Sequence, residues 1–234
     1  FRDHSNSAMT RCKFIGNHAS SGGALYYWHS QGSLSHCRFK DNVANHGGAV
    51  RIYLSDATIA NCIFTGNESK GNEGGGALYV NQSTVLLNSS TISGNNTNGR
   101  GGGIFDRNDS SNLTLQNCVL WNNRDSHGID QSAQIHDTTM LAITYCCVEG
   151  WTGGLGGIGN ISADPCFIDD FHLAPDSPCI NAGYPDFIPE SNHTDIDGEK
   201  RVMLGRIDMG ADEFNPLLAE FAVVRRERVD RTVF

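Results

Sequence analysis

The hexad CKFIGN at residues 12–17 recurs four times along the chain, at intervals of 25 to 28 residues. The later copies are CRFKDN (37–42), CIFTGN (62–67), STISGN (90–95) and CVLWNN (118–123). After each of the first four copies comes a glycine-rich stretch, namely GGAL (22–25), GGAV (47–50), GGAL (75–78) and GGGI (101–104). A fixed period of this length is typical of a solenoid, in which each repeat contacts its neighbours in a stack.

Each repeat is predicted to contain three short strands. In the repeat that starts at Cys37, apolar and polar residues alternate, which is the side-chain period of a strand. Stacking places equivalent strands parallel to one another, about 4.8 Å apart. Helical repeats are not expected, because a glycine pair at the centre of every repeat would weaken a helix. The sequence therefore predicts an all-β parallel solenoid.

Residues at equivalent positions are expected to form rows along the solenoid axis. An asparagine row is expected at a bend, where amides hydrogen-bond from coil to coil and Asn tolerates a left-handed backbone. Its members are Asn17, Asn42, Asn67, Asn95 and Asn123. Three apolar rows are Phe14, Phe39, Phe64, Ile92 and Leu120; Leu25, Val50, Leu78, Ile104 and Ile135; and Leu34, Ile59, Leu86, Leu113 and Leu141. The paired glycines are expected to provide positive φ or close approach between coils.

The chain has eight cysteines, and most of them follow the repeat. Five are assigned to one repeat position, where they would stack as small apolar side chains without disulfides. They are Cys12, Cys37, Cys62, Cys118 and Cys147. Cys146 has no assigned role. Cys166 and Cys179 lie outside the repeat and are the candidates for a disulfide, since their spacing matches no zinc motif.

Charge and hydropathy narrow the classes of partner. The net charge of −9 argues against nucleic acid, because no basic stripe is available to replace phosphate counterions. No apolar run approaches the roughly 18–20 residues that span a bilayer, so no transmembrane segment is predicted. Phe1 aligns with Tyr26, so residues 1–11 are expected to end an earlier coil, with any export signal upstream. A monomer is assumed.

The tandem motifs GGA[LIV] and FxxN resemble the repeats of right-handed parallel β-helix proteins, including the polymorphic outer-membrane autotransporters of bacteria. More general relatives are the pectin-lyase-like β-helices. The resemblance covers about residues 1–150, and it implies a right-handed, single-stranded parallel β-helix with three short strands per coil. It implies little about activity, because the shared residues are those of the rows.

The period ends near Gly150, and residues 151–214 are predicted to form a loop-rich cap. The phrases DPCFID (164–169), SPCINAG (177–183) and GRIDMGADEF (205–214) resemble the C-terminal, choice-of-anchor Q-type segment that closes bacterial extracellular β-helix proteins. That resemblance implies a secreted or cell-surface bacterial protein. An ion-paired lock is expected between Arg201 and Arg206 and the acids Asp208, Asp212 and Glu213. Residues 215–234 are predicted to be a tail with a strand-like stub.

Catalytic and metal sites are only weakly indicated. Lyases and hydrolases of the pectin-lyase-like class use converging acids, with an Arg or Lys base in the lyases. The candidates for such a groove are Arg100, Arg124, His127 and Asp130. Ordinary solvated loop charges are the favoured interpretation, because the hydrolase signatures are not present as a set. Asp195 and Asp197 resemble the start of a Ca²⁺ loop, but the remaining ligands are missing, so an Asx turn is favoured and no cofactor is predicted.

Two functions stay open at this point. The favoured one is a non-catalytic module on the surface of a bacterium, which displays loops, adheres or binds glycans along the solenoid face. Its candidate contacts are Tyr26, Tyr27, Trp28, Arg51 and Tyr53, whose rings and guanidinium could meet a polysaccharide or another surface polymer. The alternative is a polysaccharide lyase or glycoside hydrolase. Three or more converging charged groups with shifted pKa values would favour the enzyme.

Overall fold

Residues 6–107, 111–136 and 141–217 are described by a computed structural model. Within these ranges the chain forms short strands joined by tight turns, together with one four-residue helix. The elements are β1 Asn6–Thr10, β2 Lys13–Ile15, β3 Leu25–Trp28, β4 Gln31–Ser35, β5 Arg38–Lys40, β6 Val43–His46, β7 Val50–Tyr53, β8 Asp56–Ala60, β9 Ile63–Thr65, β10 Glu68–Gly74, β11 Leu78–Asn81, β12 Thr84–Asn88, β13 Thr91–Ser93, β14 Asn96–Thr97, β15 Ile104–Asp106, β16 Asn112–Gln116, β17 Val119–Trp121, α1 Gln131–Gln134, β18 Ile135–His136, β19 Leu141–Thr144 and β20 Cys147–Val148.

The strands lie in four sheets that run along the axis of the coil. Sheet 1 has the order β1-β4-β8-β12-β16-β19, sheet 2 β2-β5-β9-β13-β17-β20, sheet 3 β3-β7-β11-β15-β18 and sheet 4 β6-β10-β14. Each strand pairs in parallel with its equivalent one coil away, as Phe39 does with Phe14 and Phe64. The predicted all-β parallel solenoid is confirmed.

Sheet 4 is an addition to the three strands expected in each coil. Each of its strands starts directly after an asparagine of the predicted row. The equivalent polar segments of consecutive coils therefore lie next to one another. The backbone N–H of Glu68 donates to the carbonyl of Asn42 at 2.9 Å, and that of Asn96 donates to Asn67 at 2.9 Å. A buried backbone group without a partner is costly, so these segments pair although they carry few apolar residues.

Two of the three predicted apolar rows are confirmed by the strand register. Phe14, Phe39 and Phe64 stack with ring centroids 4.8 and 4.6 Å apart, and Ile92 and Leu120 continue the row. The row from Leu25 to Ile135 is also in register.

The third predicted row is wrong beyond Ile59. Its members in the structure are Leu34, Ile59, Leu87, Leu115 and Ile143. Leu86 is 42% exposed, because a slip of one residue turns a strand side chain to the opposite face. Leu113 and Leu141 pair with each other in a neighbouring row that includes Val85.

Three corners of the coil share a two-residue pattern, in which a residue with left-handed φ precedes an inward ladder residue. The asparagine ladder follows Gly16, Asp41, Gly66, Gly94 and Asn122. The thiol ladder (Cys12, Cys37, Cys62, Cys118 and Cys146, with Ser90 in place of a cysteine in one coil) follows Arg11, His36, Asn61, Ser89, Asn117 and Tyr145. A serine ladder (Ser30, Ser55 and Ser83) follows His29, Leu54 and Gln82. The sequence predicts a left-handed backbone at the asparagine itself. In the structure, the residue before the asparagine has this conformation. The asparagine keeps an ordinary backbone because its side chain must point inward.

The asparagine ladder makes the predicted hydrogen bonds from coil to coil. Asn42 Nδ2 donates to Asn67 Oδ1 at 2.9 Å, and Asn67 Nδ2 donates to Asn95 Oδ1 at 2.8 Å. The ladder ends at Gln134, whose Oε1 accepts from Asn123 Nδ2 at 2.7 Å. The sequence does not predict this last member, because it comes from the same coil as Asn123, where helix α1 delivers a longer amide to the end of the ladder.

The thiol ladder requires a correction at its last member. Val119 pairs with Cys147, so the equivalent of Cys118 is Cys146, whose Sγ accepts from Cys118 N at 3.4 Å. Cys147 instead packs outward against Cys179 in the cap. All eight cysteines are free thiols, so the predicted disulfide between Cys166 and Cys179 is not formed in the structure. The buried Cys179 takes part in the apolar packing under the cap instead.

The two glycines of a pair meet different structural requirements, a positive φ and a close approach between coils, and the sequence predicts both. Gly75 has φ of 72°, which favours glycine. Gly76 lies against the next coil, and a Cβ there would come within 2.2 Å of the carbonyl oxygen of Gly102.

The segment after β20 first closes the edge of the last coil. Tyr145 N donates to the carbonyl of Ile158 at 2.9 Å, and Cys147 forms a parallel bridge with Ile161. Asn160 Oδ1 accepts from Cys146 N at 2.9 Å, so it terminates the thiol ladder. This closing segment protects strand edges that would otherwise be open for pairing with another chain.

Residues 164–214 then fold back along the outer face of sheet 2, rather than staying on the last coil. Two apolar contacts hold them there: Val119 packs with Leu173 and Met209, and Ile63 packs with Phe171 and Ile196. We call residues 158–214 the cap. The predicted tail lies mostly outside the described residues, since only 215–217 are described. No helix in the described ranges is long and apolar enough to cross a membrane.

Candidate functional site

The outward positions of sheet 3 carry a row of rings and one cation. The strand register places the members of this row one behind another, and a shorter second row pairs Trp28 with Tyr53 on the same face. We call the two rows the aromatic face, which consists of Tyr26, Trp28, Arg51, Tyr53, Tyr79, Phe105 and His136. Four of the five predicted contact residues are thus adjacent on β3 and β7. Tyr27 is not among them, because it alternates inward and is 1% exposed.

Arg51 is held at the centre of the aromatic face. Its guanidinium carbon lies 5.0 Å from the ring centroid of Tyr26, 5.2 Å from that of Tyr79 and 5.7 Å from that of Tyr53. Nη1 donates to Ser21 Oγ at 2.8 Å, whereas Nε has no hydrogen-bond partner among the described residues. Each ring contact contributes about 0.5–1 kcal/mol. The cation is therefore fixed in one place.

Tyr79, the next ring of the row, is covered by the seven-residue strand β10. Tyr79 is 0% exposed and its hydroxyl donates to Glu73 Oε2 at 2.5 Å. Glu73 Oε1 pairs with Arg107 Nη2 at 3.0 Å. Burial and the bond to Glu73 raise the pKa of Tyr79. Only the part built by β3 and β7 is left as a candidate contact surface.

The four predicted catalytic residues are all exposed, but their contacts do not join them into a groove. Asp130 is the N-cap of α1 and accepts from Ser132 N at 2.9 Å, while a hydrogen bond from the Ser132 hydroxyl lowers its pKa. Arg124 is bridged to Asn96 and Arg100 to Gly74, so the two arginines belong to different rows. Within the described ranges, no hydrogen bond or ion pair joins any two of Arg100, Arg124, His127 and Asp130. Their catalytic role stays a prediction.

A charged cluster does form where the cap crosses sheet 2. His172 Nδ1 lies 2.5 Å from Asp169 Oδ2, and its Nε2 lies 2.6 Å from Asp197 Oδ2. Asp197 Oδ1 also pairs with Arg38 Nη2 at 2.5 Å. Burial lowers the pKa of His172, but the bonds to Asp197 and Asp169 outweigh it and raise the pKa to about 9. A protonated His172 therefore joins two loops of the cap and, through Asp197, fastens them to strand β5.

Metal-ligating groups meet in the same place. One ligand atom each from His172, Asp197 and Asp212 lies within 4.8 Å of the others. Asp195 does not belong to this group: its Oδ1 accepts from the N–H of Asp197 and Gly198, and its Oδ2 accepts from Glu213 N at 3.0 Å. This geometry is the favoured Asx turn. Asp195 and Asp197, the two acids of the predicted Ca²⁺ loop, thus have different partners: backbone N–H groups for Asp195, and His172 and Arg38 for Asp197.

The expected ion-paired lock is mainly a buried acidic core around one arginine. Arg201 is 2% exposed, lies 3.9 Å from Glu213 and donates to the carbonyls of Gly210 and Ala211. Arg206 takes no part, since it donates to the carbonyls of Ala182 and Gly183. Desolvation raises the pKa of Asp212 to about 7 and that of Glu213 to about 8.

The cap is expected to lose stability as the pH rises from 5 to 9. A raised folded pKa means that the protonated acid favours folding, so this stability is fully present below the unfolded pKa near 4 and is lost through pH 7–8. His172 acts in the same direction, because its charged form is lost near pH 9. Between pH 5 and 9, Asp212 alone accounts for up to about 3 kcal/mol. Thermal melts across this pH range check the prediction. Asp212→Asn, which keeps an acceptor for Leu173 N, should flatten the curve; a parallel curve would contradict it.

The comparison with known proteins agrees with the fold. A family model described as a right handed beta helix region matches residues 23–156, which is more than half of the chain. Neither the curated proteins nor the solved structures give a match to the chain. The matched range contains the aromatic face and ends within the first loop of the C-terminal segment.

Proposed function

Because the chain belongs to the right-handed β-helix family, we propose that it is a non-catalytic module that binds an extracellular polysaccharide on the aromatic face. The observation that carries this proposal is the position of Arg51 among the rings of Tyr26, Tyr53 and Tyr79. Trp28 lies next to Tyr53 on the neighbouring strand. A sugar residue offers an apolar ring face for stacking and hydroxyl groups for hydrogen bonds. The module would act at the surface of a bacterium, as the resemblance of the C-terminal segment implies.

The rigidity of sheet 3 supports this proposal. Strands β3 and β7 are hydrogen-bonded to each other and backed by Leu25, Val50 and Ile52 in the core. Equivalent residues therefore repeat at about 4.8 Å on a backbone that holds the two strands at a fixed spacing. A preorganised surface loses little conformational entropy on binding, which favours recognition of an extended polymer.

Tyr53→Ala is expected to weaken polysaccharide binding about two- to tenfold, because one ring contact contributes about 0.5–1.5 kcal/mol. Arg51→Ala should weaken it at least as much, since it also removes the cation around which the rings pack. The measurement is affinity electrophoresis against a panel of soluble polysaccharides, followed by calorimetry on each ligand found. Thr58→Ala is the matched control, because Thr58 is exposed on the outer face of sheet 1. Equal losses for Tyr53→Ala and Thr58→Ala would refute the proposal.

The enzymatic alternative has one observation in its favour. In the charged cluster, Asp197 has a lowered pKa because His172 hydrogen-bonds to it, whereas Asp212 has a raised one because it is buried. Such a divergence is typical of acid and base pairs. However, Asp212 is almost fully buried and already accepts from Leu173 N at 3.1 Å. Incubation with the same panel, with and without Ca²⁺, tests this alternative: new reducing ends or unsaturated products that disappear in Asp197→Asn would establish it.

A further inference from the structure

A cleft lies between sheet 2 and the cap. It exists because the side chains at one edge of sheet 2 are small in two consecutive coils. The last outward position of each strand in sheet 2 is occupied in turn by Ile15, Lys40, Thr65, Ser93 and Trp121. The left-handed residue that follows is Gly16, Asp41, Gly66, Gly94 and Asn122. Two consecutive coils thus carry only small residues at both positions, between larger residues on each side. At about 4.8 Å per coil, the flanking coils are about 14 Å apart.

The cap crosses this gap and contacts it at Ser93, whose hydroxyl donates to the carbonyl of Asp170 at 3.1 Å, but it leaves an open space beside this contact. Asp164, Phe167 and Asp169 line the opposite wall, and the cleft, which is open to solvent, has a volume of about 480 Å³. Sites for small ligands have volumes in this range. Lys40 closes one end through its ion pair with Asp170 at 2.6 Å, and Trp121 lies at the other end. We call this space the cap cleft.

The charges around the cap cleft select the kind of ligand. Asp170 is paired with Lys40, and Asp169 is paired with His172. Asp41 and Asp164 have no ion-pair partner in the described residues, so the cleft is acidic and disfavours an anion. Carboxylate oxygens accept strong hydrogen bonds from hydroxyl groups, and an indole provides a flat apolar surface.

We propose that the cap cleft binds a neutral sugar ring, with hydroxyl groups donating to Asp41 and Asp164 and one ring face against Trp121. Gly94 forms the open floor on which the ring lies, since no atom lies within 4 Å of a Cβ built there. At Gly66 the carboxylate of Asp41 lies over the glycine and borders this floor. The cap cleft is on sheet 2 and the aromatic face is on sheet 3, so either site can fail experimentally without the other. A Tyr53→Ala variant should keep full affinity at the cap cleft.

Gly94→Asn is the decisive variant. Gly94 has φ of 64° and a Cβ built there meets no atom within 4 Å, so an asparagine fits the backbone, as Asn122 does at the equivalent position. Its side chain would occupy the cleft. Gly16→Asn is the matched control, because Gly16 has φ of 65°, open space and a place in the same row, but lies beyond Lys40.

The probes are glucose, galactose, mannose and their disaccharides, followed by calorimetry and saturation-transfer NMR. Galacturonic acid and glucosamine serve as charged comparators. At least one neutral sugar should bind, with about tenfold or greater loss in Gly94→Asn and no change in Gly16→Asn. Asp164→Asn keeps the acceptor for Cys166 N and should also weaken binding, which covers the case in which Gly94→Asn does not fold. Binding of no neutral sugar, binding of a charged comparator alone, or unchanged affinity in the folded Gly94→Asn or Asp164→Asn variant would overturn the proposal.

Discussion

Asn67→Ala is expected to lower the free energy of unfolding by about 3–5 kcal/mol. Asn67 is fully buried, and its Oδ1 accepts from both the backbone N–H and the side-chain amide of Asn42. Its Nδ2 donates to Asn95 Oδ1 and to the carbonyl of Phe39. Alanine leaves four buried polar groups without this partner, and each unsatisfied group costs about 1–3 kcal/mol unless water enters. Urea unfolding at constant pH measures the loss.

Asn17→Ala is the matched control for this experiment. Asn17 belongs to the same ladder, but it is exposed and nothing precedes it in the described part of the ladder. The same substitution should therefore cost only about 1 kcal/mol. Comparable losses at the two positions would show that the coil-to-coil hydrogen bonds do not account for the stability of the solenoid.

Gly76→Ala is expected to prevent stable folding, with a loss of more than about 4 kcal/mol. A Cβ at this position would lie 2.2 Å from the carbonyl oxygen of Gly102 and 2.7 Å from that of Asn96. Both contacts are with backbone, so no side-chain rotation relieves them. The two coils would have to separate at this point, which would disrupt the hydrogen-bonded register between them. Circular dichroism and the yield of soluble protein report the outcome.

Gly94→Ala separates this steric effect from the general cost of replacing glycine. It introduces the same methyl group in a neighbouring coil, but no atom lies within 4 Å of the new Cβ. Only the left-handed backbone opposes it, at about 1–2 kcal/mol. If Gly76→Ala were no more destabilising than Gly94→Ala, close approach of the coils would not be the reason for the second glycine of each pair.

The fold could be predicted because its determinants are local and repeated. The Phe14 row puts a large apolar residue in every coil, and the asparagine ladder puts an asparagine in every coil from Asn17 to Asn123. A spacing of 25 or 28 residues is therefore enough to align them. The serine ladder obeys the same spacing, with Ser30 N donating to Ser55 Oγ at 3.0 Å and Ser55 N to Ser83 Oγ at 3.1 Å. The sequence alone does not indicate this ladder, because serine is abundant throughout the loops.

The two register errors have a common physical origin. Leu86 has an apolar neighbour in Leu87, and Cys147 has one in Cys146, so either member of each pair fits the pattern. Strand geometry permits only one of them to face inward, and the exact 28-residue spacing from Ile59 and Cys118 selects Leu87 and Cys146. Residue type alone does not distinguish the two.

The candidate sites depend on contacts between segments that do not follow the repeat, so the repeat period does not predict them. On the aromatic face, Tyr79 is covered because β10 is longer than its neighbours in sheet 4, which places Glu73 over Tyr79. The cap cleft depends on a segment that returns to strands more than a hundred residues earlier, as the pair between Lys40 and Asp170 shows. A repeat pattern predicts the surface on which such segments lie, but not where they cross it.

The asparagine ladder also gives the interior of the solenoid an electrical direction. In every member, the amide nitrogen points toward the next coil and the oxygen toward the previous one. The side-chain dipoles therefore add along the axis, positive toward the last coil, much as peptide dipoles add in a helix. At that positive end, Gln134 Nε2 lies 3.2 Å from the carboxylate of Glu149. Each further coil would lengthen this dipole without changing its sign, and a single acidic residue can serve as its counter-charge whatever the number of coils.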